Sequence, residues 1–344
     1  FFFFFKAPII GVTGTKGKGT TSSLLAELLA GTGKVVHLLG NIGAPALDAL
    51  AHITKDDLVV FELSSFQLWD LEKSPETAVV LMIGPDHLDI HNSMEEYVGA
   101  KVNIGARQTP QDLLIYHPTN TYSAQVAHAS PAQKKRYMSP EGAQIINQKI
   151  VIEGHHICDI SEVGLIGPHN LENICAAITA AWNYTQELDV IKAAVINFTG
   201  LPHRLELIRE LDGVKYIDDS FSSAPGSLMA AVKSFTEPEI LVCGGYDRGL
   251  DYSELANALA EQQNLKNVVL IGQTKEKIAI AFDEVGFTEY EVLETTDFTK
   301  IVQHAYDVAE SGDVVILSPG CASFDMFENF KDRGEQFQQI VGAL

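Results

Sequence analysis

The chain has 344 residues, 46% of them apolar and 20% charged, with 24 Lys and Arg against 45 Asp and Glu. That length exceeds what one small core needs and points to two domains of ordinary size. A net charge of −21 excludes a general affinity for nucleic acid or for an anionic membrane surface, and no apolar run is long enough to span a bilayer. Anionic substrates would have to be met by local backbone dipoles, lysines or metal ions. Cys158, Cys175, Cys243 and Cys321 are scattered without a C-x-x-C pair. This argues against a zinc site or a disulfide framework and favours a reducing cytoplasm. The opening Phe1 to Phe5 lacks the charged leader and cleavage site of a signal peptide, and reads as the stump of an upstream segment or an artefact.

In chain order, Ile9 to Thr13 reads as a buried strand. A glycine-rich turn follows, then a helix from about Thr20 to Leu29. Val35 to Leu39, Leu58 to Glu62 and Val79 to Ile83 are further strands, and a long helix is predicted over Met94 to Ala106. Gln111 to His156 is patchier and reads as an antiparallel addition, followed by a helix over Leu171 to Leu188. The pattern pauses at Thr199-Gly200-Leu201-Pro202, where the domain boundary is placed. Leu205 to Leu211 and Val214 to Ile217 form a predicted hairpin joined at Asp212-Gly213. Strands follow at Ile240 to Cys243, Val268 to Ile271, Glu291 to Leu293 and Val314 to Leu317. This β-α rhythm predicts an α/β protein of two tandem doubly wound domains, residues 1–200 and 201–344. The first carries a mostly parallel sheet with a P-loop, the second is Rossmann-like, and a ligand site is expected in the cleft between them.

The strongest local signal is Gly11-Val12-Thr13-Gly14-Thr15-Lys16-Gly17-Lys18-Gly19-Thr20, between a strand and a helix. Glycines let successive N–H groups and the helix N-terminus close around phosphate oxygens, and Lys18 would neutralise β- and γ-phosphate charge. The match to the general P-loop departs in two ways. The first glycine is displaced, and Gly19 stands where Ser or Thr offers a hydroxyl to Mg²⁺. Either Thr20 or Thr21 would have to substitute, or the ion would keep an extra water.

Glu62 ends the apolar strand of Val59-Val60-Phe61-Glu62-Leu63-Ser64-Ser65, where ligands gather in open α/β sheets, and is a candidate metal ligand. Asp86-His87-Leu88-Asp89 follows another apolar strand. By residue type alone His87 reads equally as a divalent-ion ligand and as a structural histidine. Lys101 by itself reads as a solvated helix lysine.

Taken together, these segments resemble the Mur ligase family, and the ordered motifs cover essentially the whole chain. Gly14-Thr15-Lys16-Gly17-Lys18 is similar to the family's ATP loop. Gly40-Asn41-Ile42-Gly43, Glu62-Leu63-Ser64-Ser65-Phe66-Gln67-Leu68 and Asp86-His87-Leu88-Asp89 follow in family order. So do Gly167-Pro168-His169-Asn170-Leu171-Glu172-Asn173 and Leu201-Pro202-His203-Arg204-Leu205-Glu206. Glu62 to Gln67 and Ser318-Pro319-Gly320-Cys321-Ala322-Ser323-Phe324-Asp325 resemble the D-glutamate-adding branch in particular. The resemblance starts at the family's ATPase domain, and the family's N-terminal UDP-binding domain is expected to be missing.

The resemblance implies an ATP-dependent amide-bond ligase of peptidoglycan synthesis, adding D-glutamate to UDP-N-acetylmuramoyl-L-alanine through an acyl phosphate. It implies that Gly14, Thr15, Lys16, Gly17, Lys18, Gly19 and Thr20 hold ATP phosphates, and that Asn170, Asn173, Arg204 and Asp219 contact the nucleotide. Glu62 and His87 are implied ligands of two Mg²⁺ ions. Lys101 matches a lysine that becomes carbamylated by CO₂ and then supplies a carboxylate-like ligand, which requires a neutral amine of depressed pKa. Lys18, His87 and Lys101 are thus the implied catalytic set. Asn41 matches a contact to the muramoyl substrate, while Ser223, Arg248, Ser323 and Phe330 match positions that hold glutamate. The implied enzyme is a cytoplasmic monomer. Its partners are small molecules only: the UDP-muramoyl peptide precursor, glutamate and ATP.

The chain departs from the family's pattern at Gly19, at Phe221 (where a lysine is expected in Asp219-Ser220-Phe221-Ser222-Ser223) and at Arg248 (where lysine is usual). These departures keep two other readings open: a ligase of this type for another amino acid such as L-glutamate, or a degenerate nucleotide-binding scaffold.

Overall fold

The computed structural model describes residues 2, 6–40, 46–87 and 90–344, and at Asp48 only the backbone. The chain divides into two compact units, Phe1–Gly200 and Leu201–Leu344. Among the described residues no helix is long and apolar enough to cross a membrane.

In the first unit the chain runs β1 (Ile9–Thr13), α1 (Lys18–Ala30), β2 (Val36–Gly40), α2 (Ala46–Ala49), β3 (Leu58–Glu62), α3 (Ser65–Leu68) and β4 (Thr77–Val80). It continues through α4 (Met94–Val102), β5 (Leu113–Tyr116), α5 (Thr121–Ala129) and β6 (Gln133–Arg136). These six strands form one all-parallel sheet in the order β2-β3-β1-β4-β5-β6. β1, β3 and β4 are buried along their whole length, as expected for strands covered on both faces. Two apolar cores lie on opposite sides of the sheet. Ile10, Val12, Val60 and Val79 point into one, and Ile9, Val59, Phe61 and Val80 into the other. The order places β1 between β3 and β4, so the chain leaves β1 at a topological switch point.

Four expectations are corrected here. β4 ends at Val80 rather than Ile83, because the next backbone groups are engaged elsewhere. Met82 O accepts from Thr15 N, and Ile83 N and O are bonded by the Asn120 side chain. α4 stops at Val102 rather than Ala106. Gly105 there packs so tightly that a Cβ would come within 2.7 Å of Leu114. The patchy stretch is only partly an antiparallel addition. β5 and β6 join the parallel sheet, and β6 hid from sequence reading because its exposed Gln-Lys-Lys-Arg edge carries no apolar pattern. The antiparallel part is a separate three-stranded sheet of β7 (Gln144–Ile146), β8 (Lys149–Ile152) and β9 (His155–Asp159). Finally, the helix expected over Leu171 to Leu188 is two: α6 (Pro168–Ala181), with Pro168 in its first turn, and α7 (Leu188–Asn197).

The second unit opens with β10 (Glu206–Leu211) and β11 (Val214–Asp218), an antiparallel hairpin. Its turn residues, Asp212 (φ 52°) and Gly213 (φ 80°), are both left-handed. α8 (Pro225–Val232), β12 (Glu239–Gly244), α9 (Ser253–Ala260), β13 (Leu265–Ile271), α10 (Lys275–Val285) and β14 (Tyr290–Val292) follow. The chain ends with α11 (Phe298–Val308), β15 (Val314–Leu317) and α12 (Phe330–Ala343). The sheet order is β10-β11-β15-β12-β13-β14, parallel except for β10. β15 inserts between β11 and β12, so the loops leaving β11, β12 and β15 emerge side by side.

Candidate active site

In the first unit, β1 delivers the glycine-rich loop straight onto the N-terminus of α1. Gly17 caps the helix at φ 82°, a conformation that costs an L-residue energy. A Cβ there would also collide with Asn173 Oδ1. Only glycine fits, and this close approach sets α6 against the loop. Asn173 is oriented by its own bond to Asn170 Oδ1 (3.0 Å), and Asn170 donates to Ile166 O (2.7 Å). Thr15 anchors the loop. Its N donates to Met82 O (2.9 Å). Its hydroxyl donates to Gly84 O (3.1 Å), accepts from Gly84 N (3.0 Å) and shares a hydrogen bond with the Tyr97 hydroxyl (3.1 Å). Lys16 is exposed, Lys18 half-buried, and Gly19 and Thr20 buried. Lys18 Nζ folds back to donate to Thr15 O (2.9 Å) and Gly14 O (3.3 Å).

Lys101 is not a solvated helix lysine. It is 1% exposed, donates to Gly14 O (2.9 Å) and Thr13 Oγ1 (3.4 Å), and lies 4.6 Å from the centre of the Tyr97 ring. Burial pushes its pKa down to about 7, the Lys18 charge adds to this, and Asp86 and Glu62 oppose it. Glu62 ends β3, level with Val12 of β1 and 4% exposed. Beyond β4, Asp86 is half-buried and His87 exposed, their side chains 3.7 Å apart, with His87 at φ 53° and its ring edge-on to Phe66. Asn41 lies outside the described residues, as do Leu88 and Asp89.

In the second unit, Asp219 follows β11 and is held by Ser318 Oγ (2.7 Å) and Leu205 N (3.2 Å). Burial raises its pKa to about 7. The Arg204 guanidinium lies 4.7 Å over the Phe221 ring, a cation–π geometry, and Phe221 meets Phe330 edge-on at 5.0 Å. Ser223 and Phe330 are half-buried and Ser323 is buried. The loops after β12 and β15 are joined through Tyr246 N and Ala322 O (2.9 Å). Arg248, on the loop after β12, is exposed.

Against known families, the Mur ligase middle domain matches residues 12–181, and the Mur ligase glutamate ligase domain matches residues 203–321. The UDP-N-acetylmuramoylalanine–D-glutamate ligase of Clostridium botulinum (strain Okra / Type B1) is 38% identical over 98% of this chain and 75% of its own length. The chain belongs to the Mur ligase family. The same-named ligase of Clostridium kluyveri is 38% identical over the same shares. Among solved structures, MurF from Acinetobacter baumannii superposes with a TM-score of 0.74 at 18% identity, covering 98% of this chain and 77% of that one. MurF from Thermotoga maritima in complex with ADP gives 0.71 at 17% identity, covering 98% and 81%.

Within this Mur ligase, the described loop residues 14–20, Lys101 and Asn173 are in direct contact. Glu62 ends β3 and His87 follows β4, the two strands that flank β1. Part of the Glu62–Leu68 motif serves the fold itself: Ser64 and Gln67 form a capping box at the start of α3. Sequence reasoning missed Tyr97 and His91. Tyr97 joins the loop hydroxyl of Thr15 to Lys101. His91 is fully buried, stacked between Phe66 (5.4 Å) and Trp69 (4.6 Å), and bonded to Ser65 Oγ (3.0 Å). Tyr97 sits one helical turn before Lys101, the one sequence cue that was available. Tyr97→Phe keeps the ring and removes the hydroxyl held by Thr15. It is expected to cost about 1 kcal/mol of stability and to weaken ATP binding several-fold. Calorimetric nucleotide titration beside a thermal melt checks this, and an unchanged affinity would remove Tyr97 from the loop's support.

Proposed function

We propose that this chain carries the ATP-dependent joining of D-glutamate to UDP-N-acetylmuramoyl-L-alanine, the reaction its relatives are named for. The observation that carries the reading is the Lys101 amine, sealed from water and bonded to the Gly14 carbonyl of the phosphate loop. A pKa near 7 leaves much of that amine neutral at physiological pH, as carbamylation by CO₂ requires.

In this reading the loop N–H groups and Lys18 hold the triphosphate. The substrate carboxylate attacks the γ-phosphorus, giving an acyl phosphate and ADP. The glutamate amine then attacks the acyl carbon and phosphate departs. Neither step needs a protein nucleophile, so the work of the chain is positioning and charge stabilisation. The residues suit Mg²⁺: Glu62 is a hard oxygen donor at a strand end, and Lys101 lies within electrostatic range of Glu62, Asp86 and Lys18. Glu62, His87 and a carbamylated Lys101 would hold it, and the bound ion would neutralise phosphate charge. Asn170, Asn173, Arg204 and Asp219 contact the nucleotide, while Ser223, Arg248, Ser323 and Phe330 receive glutamate and Asn41 the muramoyl group. With Phe221 in place of a lysine, Arg204 supplies positive charge beside the Asp219–Ser223 segment. All four cysteines are buried and free, which supports a reducing, cytoplasmic setting, and we infer a monomer.

The test is phosphate release with UDP-N-acetylmuramoyl-L-alanine and a panel of D- and L-amino acids. Release with D-glutamate above all others is expected. A preference for L-glutamate would redirect the reading to another ligase of this type, and nucleotide binding without turnover would favour a scaffold.

A further inference from the structure

Arg333, on the first turn of α12, is 1% exposed, yet its hydrogen bonds run to a hydroxyl and to backbone carbonyls rather than to a carboxylate. Nε donates to Ser220 Oγ (2.9 Å), one Nη to Ser220 O (2.8 Å) and the other to Cys321 O (3.2 Å). Ser220 is itself pinned. Its N donates to Asp218 Oδ1 (2.9 Å), and its hydroxyl donates to Phe330 O (2.7 Å), one turn before Arg333 on the same helix. One planar guanidinium therefore ties together the loop after β11, the loop after β15 and the start of α12. The third loop, after β12, also closes over it: a Cβ at Gly245 would lie 3.1 Å from Cys321 Cβ and 3.5 Å from Arg333 Nη1. The planar fork holds its donors at fixed angles across both loops, whereas a lysine swings a single ammonium on a flexible stem.

We propose that Arg333 is a positioning residue that sets the spacing of Ser223, Ser323 and Phe330, and through them the recognition of the amino-acid substrate. This rests on the glutamate-binding role proposed above for those three residues. The nucleotide side of the same loop is anchored separately, because Asp219 has its own bonds to Ser318 and Leu205. The clamp therefore bears on the amino acid more than on ATP.

The test compares the parent chain with Arg333→Lys and Ser220→Ala, the second removing one acceptor of the fork and the tie to Phe330. Arg333→Lys is expected to raise KM for D-glutamate about tenfold, as displaced binding groups do, with KM for ATP nearly unchanged. Ser220→Ala should move the same constant in the same direction by less. Backbone hydrogen exchange should quicken in residues 219–223 and 319–323 together, with β12 and β13 unchanged. Equal shifts in both KM values, or exchange that rises throughout the unit or in neither loop, would overturn the clamp. A parent chain that releases no phosphate with D-glutamate would instead count against the function reading, and the exchange measurement would still decide the clamp.

Discussion

Lys18→Met is expected to lower amino-acid-dependent phosphate release by roughly 10³-fold while leaving the melting temperature within a degree or two. Lys18 starts α1 half-buried, and its amine bonds the Gly14 and Thr15 carbonyls at the mouth of the loop. It is therefore placed to move onto an incoming phosphate, and its apolar stem contributes little to the cores on either side of the sheet. If the loop holds the triphosphate as proposed, loss of the amine removes a positive charge where γ-phosphate charge shifts during transfer, with no other loop lysine placed to replace it. Lys16 is exposed and Lys101 is held inside. A coupled phosphate assay with a parallel melt decides the matter. Retention of a tenth or more of the activity would mean that Lys18 does not meet the triphosphate.

Lys101→Met should abolish turnover and at the same time stabilise the fold. The sign follows from linkage. The amine titrates at about 7 in the folded chain against an ordinary 10.5, so below pH 10.5 folding must either expel a proton or bury a charge. That penalty is absent above pH 10.5, grows as the pH falls toward 7, and is constant below 7. Methionine removes it and fills similar space, but gives up the bonds to Gly14 and Thr13. A net gain of about 1–3 kcal/mol is therefore expected near neutral pH, shrinking toward pH 10. Melts across that range in CO₂-depleted buffer test the stability. Bicarbonate should raise the parent's phosphate release and leave the variant's at zero. A variant less stable than the parent at pH 7, or an active one, would refute the role given to this lysine.

The opposed effects on stability and activity explain why Lys101 was hard to judge from its local sequence. In Tyr97-Val98-Gly99-Ala100-Lys101 it looks like any lysine near a helix end, favourable to the dipole and wet. Its depressed pKa comes from enclosure by the loop some 87 positions earlier, which only the assembled sheet creates. Tyr97 and Arg333 escaped notice for the same reason. Their partners Thr15 and Ser220 stand 82 and 113 positions away, and beyond the one-turn spacing of Tyr97 from Lys101 neither residue belongs to a local pattern that marks chemistry.

What the sequence determined by itself was whatever is written in short-range periodicity and backbone geometry. The strands Ile9–Thr13, Leu58–Glu62 and Val314–Leu317 were legible to the residue, because continuous β-branched runs suit strands buried on both faces. The glycine-rich turn between β1 and α1 was legible because Gly17, at φ 82°, meets a conformational demand that other residues cannot. The exposed edge strand β6, the division of α6 from α7 and the early ends of β4 and α4 were decided by tertiary contacts. So were the enclosure of Lys101, the His91 stack and the Arg333 clamp. Burial and long-range hydrogen bonding depend on which distant segments meet, and no local propensity encodes that.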